Sequence, residues 1–522
     1  VQTRYVSASS AIIRHVPMPF RPVICNRGYP MNAKPDMLLF FSDQHSGTCT
    51  GYSGNPEIRT PNLDRLARQG TVFNAAYTPC PLCVPARSAC LTGQLPSHTG
   101  IYTNSGVIPS DQTTFLHSLA VAGYETVLCG RMHFKGPDQR HGFTRRIAPE
   151  LTATMHGTEG RWQEGFGPYA RTLGMNGCLD VIGGGPSLVL EYDRSVVEAA
   201  LDYLQQKHDK PQCIVIGTYG PHFPYVAPLE HYRYYLETLE KPPDAGREVN
   251  YAHPIFDAKR QTERLSARSG CKEPVTDEIR LRARAAYSGM ITRLDEQVGR
   301  VRSAWQTYLE RNRRPGVFVY FSDHGDTCGE HGIFGKQSFY EGSARVPLLI
   351  AGAGVRPDTT VSTPATLLDI GPTLCDLAGT SPPPRQDGAS LAPALVDGRS
   401  DPGRHVFSEW VQRTPERPVP GRMIRQGEWK MIAFDGLEDH DLLFDLDADP
   451  SESTNLASSR PEKASELKAT LVHNWDVRGI AERYREQSEH QEMLRKWGET
   501  VSPPEPERRP VPRDVLALPE IN

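Results

Sequence analysis

Met37-Leu38-Leu39-Phe40-Phe41-Ser42-Asp43-Gln44-His45 is a short apolar run that stops on an acid followed by two polar side chains. Nearly the same ending recurs at Tyr320-Phe321-Ser322-Asp323-His324. Each reads as a buried strand opening into a loop, because a brief apolar run bounded by polar residues suits a strand covered on both faces. In open α/β sheets, ligands bind beyond the carboxyl ends of the strands. If the two strands are neighbours, Asp43, Gln44, Asp323 and His324 converge on one point. Two carboxylates in one cleft repel unless a cation lies between them. Three oxygen ligands and one imidazole suit a divalent ion, Ca²⁺ or Mn²⁺ before Zn²⁺. The plainer reading is that each aspartate caps the element that follows it. The matched pair argues against that.

The surrounding pattern sets the fold class. Helices are expected from Pro61 onward and over residues 114–122, 191–207 and 277–309, and strands over 125–129, 213–216, 316–322 and 346–351. This alternation predicts an α/β domain with a large mixed, mostly parallel central sheet flanked by helices. Residues 134–187, rich in Gly, Pro, Arg and His, read as long loops, which in a compact domain are often functional. Residues 227–275 read as a charged, irregular insertion. A composition shift at Thr380-Ser381-Pro382-Pro383-Pro384-Arg385 precedes short antiparallel strands within 422–434 and 441–446 and a helix over 461–475. The expected division is an N-terminal extension (1–35), a catalytic domain (36–400), a smaller C-terminal α+β subdomain (401–502) and an extended tail (503–522).

Bulk properties narrow the function. A net charge of -4 gives no case for nucleic acid or an anionic membrane, so any anion site must be local. No apolar run is long enough for a transmembrane helix. Residues 1–30 match a signal peptide poorly, since Ala11-Ile12-Ile13 is followed at once by Arg14 and His15. They are expected to carry no chemistry, although they and the tail could serve contacts in a homo-oligomer. The 11 cysteines are odd in number and irregular in spacing, which points away from a disulfide framework and toward a reduced, cytoplasmic setting.

A second stretch bears on chemistry: Cys80-Pro81-Leu82-Cys83-Val84-Pro85-Ala86-Arg87-Ser88-Ala89-Cys90-Leu91-Thr92-Gly93. Pro81 and Pro85 predict a stiff, non-helical segment between them, with a helix over 86–91. Cys83 then lies at or just before a helix N-terminus, where negative charge is favoured, with Arg87 one turn on. Taken alone it reads as a buried structural cysteine. Cys80 and Cys83 match a redox pair only in spacing. Other loop and strand-end positions add Asn104, Arg131, His133, His222 and Lys336. Singly these read as ordinary loop or surface residues. Together they would line a pocket suited to a tetrahedral oxyanion and an ester that needs both nucleophile and acid.

Cys83-x-Pro85-x-Arg87 followed by Leu91-Thr92-Gly93 resembles the signature of the type I sulfatases, in the alkaline phosphatase superfamily. Gly130-Arg131-Met132-His133-Phe134, Ser322-Asp323-His324-Gly325-Asp326, Gly335-Lys336 and the segment Leu443 to Leu456 resemble further blocks of that family. The resemblance runs from about Asp36 to Asn474 and implies an alkaline phosphatase-like fold. It implies that a formylglycine-generating enzyme oxidises Cys83, reading Pro85 and Arg87, and that the hydrated aldehyde on the metal is the nucleophile. Asp43, Gln44, Asp323, His324 and residue 83 would hold the ion. Arg87 would stabilise the diolate, and His222 and Lys336 would serve the leaving alcohol. His133 would act as the base that frees sulfate, and Asn104 and Arg131 would bind the sulfate group.

The sequence departs from the commonest family pattern at Gln44, His324 and Arg131. The first two resemble phosphonate monoester hydrolases and choline sulfatases. The Arg131/His133 pair favours a sulfatase, and the segment Met132 to Phe143 resembles the choline-sulfatase branch. No aromatic and acidic cage for choline can be assigned residue by residue. An aryl or alkyl sulfate is the expected substrate. The alternatives are a phosphonate monoester or phosphodiester and, ranked after it, choline sulfate or, in another class, an inactive anion-binding relative whose Cys83 stays a thiol.

Overall fold

The computed structural model describes residues 34–159, 166–242, 248–263, 265–266, 273–508 and 518–519. The expectation that residues 1–30 precede the domain falls outside these described residues.

Eight strands form the central sheet: β1 (Asp36–Asp43), β2 (Gly70–Phe73), β3 (Glu125–Gly130), β4 (Arg145–Ala148), β5 (Gln212–Pro221), β6 (Gly316–Ser322), β7 (Leu348–Gly352) and β8 (Thr359–Val361). Their order is β8-β2-β7-β6-β1-β5-β3-β4. Within the sheet only β7 runs antiparallel to its neighbours, β6 and β2. The fold is therefore the mixed, mostly parallel α/β sheet read from the sequence. The two strands with matching ends are adjacent and parallel, with Phe40 opposite Tyr320 and Ser42 opposite Ser322. Asp43 and Asp323 thus leave the sheet side by side.

Alternation along β1 explains why it is apolar throughout. Leu38 and Phe40 pack into one layer with Phe318 and Tyr320, while Met37, Leu39 and Phe41 pack into the other with Val317, Val319 and Phe321. Each face is covered by helices, so neither set of side chains meets water. The helices that matter here are α1 (Pro61–Gln69), α2 (Cys83–Thr92), α3 (Leu188–Gln205), α4 (Leu229–Thr238), α5 (Pro254–Glu263), α6 (Asp277–Asn312), α7 (Pro461–Val472) and α8 (Val477–Val501). The 36-residue α6 buries Met290, Ile291, Leu294 and Val298 on the first layer. Cys90 and Leu91 of α2 join the second. Gly93 ends α2 at φ 71°, where a Cβ would lie 1.9 Å from Gln386 Oε1, so glycine is required there.

A smaller antiparallel sheet follows: β9 (His405–Arg413), β10 (Pro418–Gln426), β11 (Trp429–Phe434) and β12 (Leu442–Asp445), in that order. No helix among the described residues is long and apolar enough to cross a membrane.

Four expectations of local structure are corrected. Helix α2 starts at Cys83, not Ala86, because Pro85 falls within its first turn, where its missing N–H costs nothing. The segment 227–275 is not simply irregular: it holds α4 and α5, and α4 buries Tyr232 and Tyr235 against α6. Strand β9 was absent from the sequence reading. So was α8, a 25-residue helix.

Candidate active site

Asp43, Cys83, Asp323 and His324 each present a ligating atom, and these atoms all lie within 4.8 Å of one another. The sheet delivers both aspartates and His324, and the N-terminus of α2 delivers Cys83. Leu82, the residue before α2, is extended and offers no side-chain cap. Asn104 supplies one instead, its Oδ1 accepting from Val84 N at 3.0 Å. That leaves the Asn104 amide group as its remaining donor. The His324 Nδ1–H is held by the Gly325 carbonyl at 3.0 Å, which leaves Nε2 facing Cys83 Sγ at 3.2 Å. This is the tautomer a metal-ligating histidine needs. Two carboxylates, an imidazole nitrogen and the Gln44 amide oxygen form a donor set that fits a divalent cation.

Cations surround this cluster. Arg87 donates from Nε to Asp323 at 2.8 Å and from Nη2 to Asp43 at 3.2 Å, and its guanidinium lies 4.3 Å over the Phe41 ring. Arg131 donates from Nε to Asp43 at 2.6 Å, from Nη1 to Glu150 and Thr152 at 3.1 Å each, and from Nη2 to His133 Nδ1 at 2.8 Å. Most of its donors are thus committed within the protein, leaving one Nη2 hydrogen for a ligand. Lys336 Nζ donates to Cys83 Sγ at 2.9 Å, Gln44 Oε1 at 3.0 Å and His222 Nε2 at 2.7 Å.

These charges set the ionisation of the site. Burial raises the Asp43 pKa, but the permanent charges of Arg131, Arg87 and Lys336 outweigh it and hold the carboxyl well below the usual range. Burial and Asp43 push the Cys83 thiol up, yet Lys336 and His324 bring it below its ordinary value. A cysteine at a helix N-terminus beside a lysine has the setting of a reactive thiol rather than an inert one. Cys80 and Cys90 differ. Burial drives Cys80 well above the ordinary thiol range and pushes Cys90 up to about 12.

Both histidines are held neutral. Burial and then Lys336 lower His222, whose Nδ1–H donates to the Phe223 carbonyl at 2.8 Å while Nε2 accepts from Lys336. Burial and then Arg131 lower His133. A guanidinium can only donate, so His133 Nδ1 is the acceptor and the ring proton sits on Nε2. In this arrangement His133 presents an N–H at Nε2.

Two site residues carry left-handed backbone, Gln44 at φ 69° and His133 at φ 59°. Such conformations cost about 1–3 kcal/mol each and persist where neighbours over-determine them. Here buried carboxylates do so: Asp323 accepts from Gln44 N at 3.0 Å, and Glu150 accepts from His133 N at 2.9 Å.

Sequence reasoning missed Glu150 and the role of Asp326. Glu150 lies in the long-loop region and has no local signature. Asp326 stands inside the Ser322 to Asp326 block, and its Oδ2 accepts from Gln44 Nε2 at 2.6 Å and from Tyr225 at 2.8 Å. Cys83, Asn104, Arg131, His133, His222 and Lys336 all line one cavity of about 410 Å³. Tyr102, Trp410 and Tyr484, three aromatics that no sequence spacing links, also line it.

Fold and site together define an α/β hydrolase for anionic esters. A sequence model described as Sulfatase matches residues 35–380, so the chain belongs to the sulfatase family, whose members hydrolyse sulfuric esters. A second, described as N-sulphoglucosamine sulphohydrolase, C-terminal, matches residues 329–476. The chain is similar to a choline-sulfatase of Rhizobium meliloti (strain 1021), with 34% identity over 490 residues covering 89% of this chain and 90% of the relative. It is 28% identical to arylsulfatase K of Xenopus laevis over 85% of this chain and 82% of the relative. Among solved structures, the phosphonate monoester hydrolase of Agrobacterium radiobacter shares the fold, with a TM-score of 0.65 and 24% identity over 88% of this chain and 96% of that one.

Proposed function

We propose that this enzyme hydrolyses the sulfate ester of an aryl or alkyl alcohol, with Cys83 as the precursor of a formylglycine nucleophile and one divalent ion, Ca²⁺ or Mn²⁺, held by Asp43, Gln44, Asp323, His324 and residue 83. The observation that carries the reading is the convergence of both aspartates, His324 and Lys336 on Cys83, which with Lys336 lines one cavity. When present, the ion and the aldehyde hydrate would supply a low-pKa hydroxyl nucleophile beside a Lewis acid.

The protein's own groups do the rest. Asp43, Asp323 and Glu150 are balanced by Arg87, Arg131 and Lys336, so an added divalent cation makes the floor electropositive toward an anionic ester. The His133 Nε2–H, the Asn104 amide and the spare Arg131 hydrogen bind sulfuryl oxygens. Lys336 holds a proton within hydrogen-bond distance of His222, and this pair serves the leaving alcohol as acid. Arg87 fixes the two carboxylates relative to α2. Eight of the described cysteines, Cys178 apart, are buried free thiols, which supports a reducing, cytoplasmic setting.

A second reading concerns the alcohol. Aromatic faces attract quaternary ammonium groups, and Tyr102, Trp410 and Tyr484 line the cavity, so choline sulfate is a candidate substrate beside aryl sulfates. Glu159, which also lines the cavity, is paired with Lys135 at 3.1 Å, so the aromatic rings would carry the recognition.

Two measurements test the proposal. Mass spectrometry of the tryptic peptide 69–87 from protein matured with a formylglycine-generating enzyme should show the thiol exchanged for an aldehyde at residue 83. An unmodified thiol in protein from its native host points to the inactive relative instead. Comparing kcat/KM for 4-nitrophenyl sulfate, choline sulfate and matched phosphonate and phosphodiester substrates should favour a sulfate, and preference for a phosphorus ester overturns the assignment.

A further inference from the structure

Residues 477–508 lie beyond both family-matched spans, which end at 380 and 476, yet Tyr484 of this segment lines the cavity. Helix α8 bridges two loops of the site. Arg483 donates to the Ser97 carbonyl at 3.0 Å, Gln487 to the Gly100 carbonyl at 2.6 Å, and Thr103 to Gln491 Oε1 at 3.2 Å. At its far end Gly498 lies so near the other loop that a Cβ would sit 1.7 Å from the His156 carbonyl oxygen.

The chain after α8 then docks on that loop. Glu505 Oε1 accepts from Thr154 N at 2.6 Å, Met155 N at 3.1 Å and Thr154 Oγ1 at 3.2 Å. The Glu507 carbonyl accepts from Glu150 N at 2.8 Å. The Glu505 side chain is only 8% exposed. Burial raises its pKa, and the Met155 and Thr154 N–H groups more than offset this, so it docks as a carboxylate.

What the loop holds gives the contact its meaning. The Glu150 carboxylate is the node of the substrate side: Oε1 accepts from Arg131 Nη1 at 3.1 Å and Oε2 from His133 N at 2.9 Å. A continuous chain of hydrogen bonds and four residues of backbone join Glu505 to the two groups assigned to the sulfuryl oxygens.

We propose that Glu505 is a positioning residue, latching the 150–155 loop so that Glu150 keeps Arg131 and His133 aimed into the cavity. The effect on turnover rests on the sulfate-ester reading above, and the latch itself does not. Misplacing a binding group by about 1 Å can cost up to about 100-fold in rate.

The test uses the full chain carrying E505A, E505Q or T154V, with hydrogen exchange of the peptides containing 131–133 and 150–155 measured beside kcat and KM on 4-nitrophenyl sulfate. E505A should speed exchange in both peptides, lower kcat and raise KM, with kcat/KM down about 10- to 100-fold well below its melting temperature. E505Q keeps an acceptor oxygen and should recover most of the loss. T154V, which removes only the hydroxyl contact, should fall between E505Q and E505A, and keeps the test open if E505A does not fold. Unchanged exchange in folded E505A overturns the latch. Faster exchange with kcat/KM within twofold of wild type overturns the positioning role. If the wild-type protein turns over no sulfate ester, the proposed function fails, and exchange at 131–133 alone decides the latch.

Discussion

Lys336 shows how a single side chain acquires its role from three directions. Its ammonium donates to Gln44, Cys83 and His222, which uses all of its hydrogens. It depresses the Cys83 thiol and keeps His222 neutral at once. Replacing it by Met keeps the length of the side chain and removes the charge. K336M should lower kcat by about 10²–10³, the usual loss when a preorganised charge donor is deleted. Turnover of 4-nitrophenyl sulfate by metal-loaded, formylglycine-containing protein measures this. A kcat within tenfold of wild type would remove Lys336 from the chemistry. In the sequence this residue was legible only through the resemblance of Gly335-Lys336 to a family block. Glu150 was not legible at all, because a carboxylate in a long loop looks the same whether it faces solvent or a buried arginine.

At the scale of elements, the site depends on where helices begin. Helix α1 starts under a cap supplied by another helix: Asp295 of α6 accepts from Asn62 N at 3.0 Å and from Leu63 N at 2.7 Å. D295A leaves those donors without their acceptor in a buried setting. It should cost about 1–3 kcal/mol, seen as a lower melting temperature with kcat unchanged at a temperature where the variant is folded. Loss of kcat without loss of stability would mean that Asp295 does more than join α1 to α6. Element type was readable where the pattern was strong, as in the apolar runs of β1 and β6 and the long helical stretch of α6. It was not readable in α8, whose 25 residues bury only Ile480, Ala481 and Gly498. With so few inward positions an amphipathic stripe barely forms, and the helix reads as a charged tail.

At the scale of the molecule, a buried lysine is one of the links between the small sheet and the rest of the chain. Lys430, fully buried on β11, bonds Glu341 at 2.9 Å and Glu452 at 2.8 Å. Burial, with Glu341 as a second carboxylate, pushes Glu452 from its ordinary 4.5 up to about 7 against the pull of Lys430. The folded chain therefore holds this proton to higher pH than the unfolded chain does. The contribution of Glu452 to stability is lost as pH rises from about 4.5 to about 7. E452Q removes the titration. Melting temperatures taken from pH 5 to pH 8 should show wild type losing ground to E452Q by several degrees. A gap that does not change with pH would show that Glu452 stays ionised throughout, with Lys430 as its full partner.

The sequence by itself determined the sheet, its apolar strands and the placing of Asp43, Asp323, Cys83 and their immediate neighbours. Those features are local: a short apolar run bounded by polar residues marks a strand, and an acid at its end is carried wherever that strand goes. Only the tertiary structure decided that Glu150 orients Arg131 and His133, that the proton of His133 lies on Nε2, and that Tyr102, Trp410 and Tyr484 share one wall. It also decided that Glu505 reaches back to Thr154, 351 positions away. Such contacts form between loops with no periodicity. The packing of the elements that carry them selects them, so no short stretch of sequence contains them.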